Sequence, residues 1–323
     1  MKIKKNKNTR REFIKNATIA TMSLGFANPL SSFMDLRKLK AMLAPQPPFS
    51  DYKAMVYFFL HGGNDGFNML MPRTGTAYND YVNTRTSLAI NDTDMLSIGN
   101  GDFGLNPAMT DLHTMYGNNE LAFLNNIGSM IEPMTKAEYL AQTKQRPLGL
   151  YSHLDQYKHW QTAQPHYRTN IGWGGKTADL LGSNNTNDNI SMNVSLSGSN
   201  IFQFGEDTTE FTISYNGANK PTNWDSTSGH HDERRAATDS LLSANYNDIY
   251  RKTYADIFKN SIDAAEEFED AIANAPDFNT IFDANGEYND SHYIVKNMRM
   301  VAQTIAVKDT LGFQRQIFFV RFG

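Results

Sequence analysis

Cysteine is absent from this 323-residue chain. Disulfides, thiolate metal ligands and cysteine nucleophiles are therefore excluded together. A metal site would have to use Asp, Glu, His, Asn or hydroxyl oxygens, a donor set suited to harder or borderline ions. Long hydrophobic runs are also missing. The run from Ala17 to Leu30 is weakly apolar and is interrupted by Ser23, Asn28 and Pro29. It falls short of the roughly 20 apolar residues that a membrane span needs, so no transmembrane span is expected. No G-x-S-x-G occurs, and the α/β-hydrolase nucleophile elbow is thereby disfavoured.

Positive charge is scarce once the first residues are set aside. The chain has 30 Lys and Arg against 34 Asp and Glu, and its first 44 residues hold 10 basic and 2 acidic side chains. The remainder carries 20 basic and 32 acidic residues, a net of −12. Nucleic-acid phosphates would repel such a body. The basic start instead fits an export signal. Lys2, Lys4, Lys5 and Lys7 precede Thr9-Arg10-Arg11-Glu12-Phe13-Ile14-Lys15, which matches the twin-arginine pattern. Residues 1–44 are read as that signal segment. The twin-arginine translocase is then an expected partner, and the location periplasmic or extracellular. The competing reading is an amphipathic N-terminal helix.

The body is organised around Ala54 to Asn68, AMVYFFLHGGNDGFN. Its apolar first half predicts a strand buried on both faces of a parallel sheet. Glycines after His61 allow a sharp turn close to a ligand. Asn64, Asp65 and Asn68 follow at the carboxyl end of that strand, where open α/β sheets place their chemistry. A carboxylate there is a candidate metal ligand. A polar turn capping the next helix explains the pattern equally well.

Further elements follow in order. Pro45 to Ser50 reads as a linker. Asn106-Pro107 reads as a helix start, with Met109, Leu112, Met115 and Tyr116 as its apolar stripe. Leu121 to Ile127 reads as a second strand, giving strand–helix–strand and hence a parallel sheet. Ile190 to Leu196 alternates as a strand, and Asn200 to Tyr215 reads as a hairpin. Apolar positions at three-or-four spacing from 233 to 273 predict one long amphipathic helix, or two in line, in an architectural role. Ser291 to Leu311 predicts another helix with Asp290 as cap. Gln316 to Phe322 is an apolar strand.

Three motifs invite chemical readings. Gly172-Trp173-Gly174-Gly175-Lys176-Thr177 resembles the end of a phosphate loop. Asn170 stands where the first glycine must be, so a turn into a helix from Thr177 to Leu181 is preferred. His230-His231-Asp232-Glu233 is read as a solvated helix start, because adjacent helical residues diverge by about 100 degrees. Ser152 precedes His153-Leu154-Asp155-Gln156-Tyr157-Lys158-His159 and is a good N-cap. A hydroxyl at a helix N-terminus also sits where an anion is favoured, a useful place for a nucleophile attacking a phosphate or sulfate ester. His153 and His159 are six apart, share no helix face and are not read as a metal pair.

At these residues the chain resembles the twin-arginine-exported proteins of domain of unknown function 1501, placed in the alkaline phosphatase and sulfatase superfamily. The likeness rests on Thr9 to Lys15, Phe58 to Asn68, Ser152 to Thr162 with Ile171-Gly172-Trp173, and the final FFVRFG. It implies an α/β fold with an alkaline-phosphatase-like, mostly parallel sheet flanked by helices. It also implies a divalent metal ion held by Asp65, with Asn64 orienting ligand or ester, and Ser152 as the nucleophile of an ester hydrolase. The substrate would be a small-molecule or polymer ester. Family members continue past the last strand with further Asp and His residues. The sequence is accordingly read as an N-terminal fragment with the C-terminal half missing, inactive by itself. Its last strand is expected to lie at an open sheet edge. Two other functions compete: an exported binding protein that keeps the fold without catalysis, and a serine esterase whose oxyanion loop would be His61-Gly62-Gly63.

Overall fold

A computed structural model describes residues 51–62, 64–125, 127–227, 229–282 and 292–323. The stretch read as a signal segment, the expected 45–50 linker, Gly63 and the expected cap Asp290 lie outside the described residues. Chain order is β1 (Lys53–Leu60), β2 (Leu70–Pro72), α1 (Gly75–Arg85), β3 (Leu96–Ile98), β4 (Phe103–Leu105), α2 (Thr110–Gly117) and α3 (Lys136–Ala141). It continues with α4 (His153–Thr162), α5 (Trp173–Leu181), β5 (Asn193–Ser195), β6 (Phe211–Ser214), β7 (Gly217–Ala218), α6 (His231–Leu242), α7 (Ile249–Ile272), α8 (Asn279–Phe282), α9 (Tyr293–Ala306) and β8 (Arg315–Phe322).

The main sheet has the order β1-β8-β5-β6-β7. Neighbours among β1, β8, β5 and β6 run parallel, and β7 is antiparallel to β6. Helices flank it, so the chain is mixed α/β with a mostly parallel sheet. A small antiparallel sheet, β2-β4-β3, stands apart on its own cluster of Met71, Tyr81 and Met95.

The apolar run of β8 lies inside the sheet, not at an open edge as expected from sequence. It pairs with β1 along its whole length and with β5 on its other side, and Arg315 to Val320 are buried. The edge is β1. Tyr57 and Phe59 pack into the core on one face, while Val56 and Phe58 on the other remain 36% and 40% exposed. The expectation of burial on both faces therefore fails for β1. The reason is the stretch from Leu121 to Ile127, which forms no strand among its described residues and adds no neighbour beyond β1.

Other boundaries moved for local reasons. α2 starts at Thr110, because the Asn106 side chain accepts from the Ala108 N–H at 3.0 Å and holds Pro107 in a turn. The 200–215 hairpin is not formed; β6 is the strand of that stretch, and it pairs in parallel with β5 and antiparallel with β7. Buried amides hold the segment before it as a turn. Gln203 Nε2 donates to the carbonyls of Val194 and Ile317 at 3.0 and 2.9 Å, and Asn193 Nδ2 donates to that of Gln203 at 2.8 Å. The 233–273 region is two helices packed on each other. Asp248 caps the second by accepting from the Arg251 N–H at 2.9 Å. His292 caps α9 by accepting from the Ile294 N–H. Among the described residues no helix is long and apolar enough to cross a membrane.

Candidate active site

The ladder of β1 continues one residue past its end, where the His61 N–H donates to the Phe322 carbonyl at 2.6 Å. Gly62 then turns the chain at φ 68°, a left-handed conformation that suits glycine. The start of α4 lies on this turn. A Cβ on Gly62 would meet His153 Cε1 at 3.4 Å. The His61 ring is 5.1 Å from His153 and 4.5 Å, edge-on, from Tyr157. His153 and Tyr157 are four apart and share a helix face, and Tyr157 also packs on Phe59 at 5.3 Å.

Ser152 is the N-cap of α4, and its Oγ accepts from the Asp155 N–H at 3.3 Å. The chain enters this cap through a tight turn. The Ser152 N–H donates to the Gly149 carbonyl at 2.7 Å, and Tyr151 sits at φ 72°. A bulky residue there costs about 1–2 kcal/mol and persists only where its surroundings hold it. The Tyr151 hydroxyl is bonded to that of Tyr139 at 2.9 Å. Beneath the turn, the Asp155 carboxylate takes Arg168 Nε at 3.2 Å and Nη2 at 3.4 Å. Those bonds, with that of Ser152, hold Asp155 below the usual carboxylate range. A Cβ on Gly149 would lie 2.1 Å from Asp155 Oδ2, so this turn needs glycine for space as well as for conformation.

The charge around the turn favours anions. Burial lowers the pKa of His61, and the nearby charge of Arg321 and the His153 ring add to the shift. His61 is then a neutral imidazole at neutral pH. The positive end of the α4 dipole points into the same region. His159 is 5% exposed, its Nδ1 has no hydrogen-bond partner among the described residues, and burial lowers its pKa against the pull of Asp155.

Asp65 and Asn64 stand differently. The Asp65 carboxylate pairs with Arg85 Nη2 on α1. Asn68 serves the same neighbourhood, accepting from the Tyr81 hydroxyl at 2.7 Å and donating to the Leu88 carbonyl at 2.9 Å. Among the described residues, no hydrogen bond, ion pair or ring contact links Asp65 or Asn64 to Ser152. Among the described residues no group of three or more His, Asp or Glu is placed to hold a metal. With its carboxylate engaged by Arg85, Asp65 and its described neighbours do not make a metal site by themselves. His230 is paired with Glu233 at 2.9 Å on the surface, as a helix start would be.

No family model, curated protein or solved structure matches the chain.

The residues that sequence reasoning passed over are Tyr157 and Arg168, and His61 was weighed only as part of an oxyanion loop. The four-residue spacing of His153 and Tyr157 was the usable signal. The partner ring, His61, lies 92 positions away, and only folding brings it near.

The lowered pKa values of His61 and His159 predict an acid-sensitive fold. Both favour the neutral form when folded, while the unfolded chain takes up protons near pH 6.5. Their contribution is complete above that pH and is lost as pH falls towards the folded values. Thermal unfolding between pH 7.5 and 5 should show a falling melting temperature. His159→Gln should flatten that slope, and an unchanged slope would show that His159 does not titrate in this way.

Proposed function

We propose that the chain belongs to an exported hydrolase of phosphate or sulfate esters with an alkaline-phosphatase-like fold, in which Ser152 is the nucleophile. The observation that supports the reading is the seating of His153, the residue that follows the Ser152 cap, against the Gly62 turn, with the His61 and His153 rings 5.1 Å apart. The first-turn N–H groups of His153 and Leu154 can hold the ester oxygens, since the Asp155 N–H is already taken by Ser152. Attack on phosphorus or sulfur forms a bond to Oγ and breaks the bond to the alcohol oxygen. The neutral imidazole of His61 takes the Oγ proton and returns it to the departing oxygen. Water then hydrolyses the seryl ester.

A divalent metal, which the family resemblance implies, would lower the hydroxyl pKa and neutralise ester oxygens. Asp65 and Asn64 are the residues proposed for it, Asp65 once released by Arg85, and the remaining ligands would come from outside the described residues. No step above depends on it. The second reading, an exported binding protein without catalysis, draws on the Arg85 pairing that occupies Asp65.

The test uses the protein expressed from its whole gene, recovered from the periplasmic or extracellular fraction, with a panel of aryl phosphates and aryl sulfates. Turnover by exported protein is expected. An exported, folded protein without turnover or bound metal would favour the binding reading, and retention in the cytoplasm would remove the export claim.

A further inference from the structure

A groove of about 720 Å³ lies between α6 and α7, and none of the residues of the candidate active site lines it. Leu241 and Leu242 line it from α6, and Tyr250, Tyr254 and Phe258 from α7, with Arg251 among them. Its volume falls in the range of small-molecule sites, which are mostly apolar with a few placed polar groups. Apolar surface of this kind is normally covered, yet Tyr250 and Tyr254 are 82% and 69% exposed. The Tyr254 and Phe258 rings stack at 6.0 Å and form a flat wall.

Arg251 supplies the chemical identity of the occupant. Every other cation on these two helices is engaged. Lys252 pairs with Asp256, Lys259 with Asp263 and Arg235 with Asp232, while Arg234 donates to the Thr222 carbonyl. The nearby Asp248 turns its carboxylate to the backbone N–H of Arg251, not to its guanidinium. Among the described residues the Arg251 guanidinium has no counter-ion. A guanidinium matches a carboxylate in two-point geometry, and the exposed Tyr250 and Tyr254 line the same groove. We propose that the α6–α7 groove binds an amphiphilic carboxylate, with its alkyl body against the leucines and rings and its head on Arg251. The proposal is independent of ester hydrolysis.

Calorimetric titration with dodecanoate, dodecanol and dodecyltrimethylammonium, each below its micelle threshold, tests it. Dodecanoate should bind most tightly and the cation least. Arg251→Gln should weaken dodecanoate about tenfold and leave dodecanol unchanged. Leu241→Asp should abolish binding of both. Both positions are exposed, and circular dichroism melts check that each variant folds. No dodecanoate binding, or equal binding by Arg251→Gln, would overturn the proposal. So would a concentration-dependent dimer that Leu241→Asp dissolves, which would assign the groove to a second copy of the chain.

Discussion

Gly175→Ala is expected to destabilise the fold by about 3 kcal/mol or more, at the upper end of the range for overpacking. A Cβ at this position would lie 2.2 Å from the Phe204 carbonyl carbon and 2.3 Å from both the Gly205 nitrogen and the Phe204 oxygen. These are backbone atoms, so no rotamer change relieves the clash. The α5 helix would have to lift from the 201–205 turn. That movement would strain two hydrogen bonds, from the Gly175 N–H to the Phe202 carbonyl at 2.9 Å and from the Gly172 N–H to the Phe204 carbonyl at 2.8 Å. It would also loosen Phe202, which is fully buried with ring centroids 4.4 Å from Tyr57 and 4.5 Å from Trp173. A drop of roughly 5–10 °C in melting temperature follows for a domain of this size. Gly117→Ala is the control. It makes the same change at a helix end where an added Cβ meets nothing within 4 Å. If Gly175→Ala melts with the parent protein, the close approach of α5 to the turn is refuted.

Ser152→Asn is expected to lower ester hydrolysis by about 10³-fold or more while leaving the protein folded. Removal of a covalent nucleophile acts on the reaction itself and leaves only the contributions of binding and charge. Asparagine caps helices about as well as serine, so the bond to the Asp155 N–H has a substitute. Ser152→Ala lacks that substitute and should cost about 1 kcal/mol of stability as well. The pair separates the two roles of the hydroxyl. Ser152→Asn with parental turnover would show that serine is only a cap. His61→Gln adds the proton-transfer arm, with a loss on the order of 10²-fold and a changed pH profile. A loss without a change in the profile would reduce His61 to a positioning residue.

The Ser-His helix was legible from a short stretch. A capping hydroxyl followed by helix formers is a local pattern, and α4 begins where the pattern places it. The strand before the glycines was equally legible as a strand, but its surroundings were not. A continuous apolar run reports that a segment dislikes water; it does not report how many neighbours the segment finds. Val56 and Phe58 read as core, yet they remain 36% and 40% exposed. The glycines of Gly172 to Gly175 were visible as an unusual cluster. Their purpose, a backbone seat for residues 202 to 205, depends on a turn some thirty residues later. The break between α6 and α7 was hidden by apolar positions that keep helical spacing on both sides of it.

Composition and local pattern settled the absence of thiol chemistry, the acidic body, the mixed α/β class and the capped start of α4, because each depends on residue type or near neighbours. Long-range pairing decided the rest. β8 became the inner strand and β1 the edge, His61 met His153 and Tyr157, and Asp65 turned to Arg85. Those outcomes arise from contacts between segments far apart in the chain, whose geometry exists only once the backbone has closed on itself.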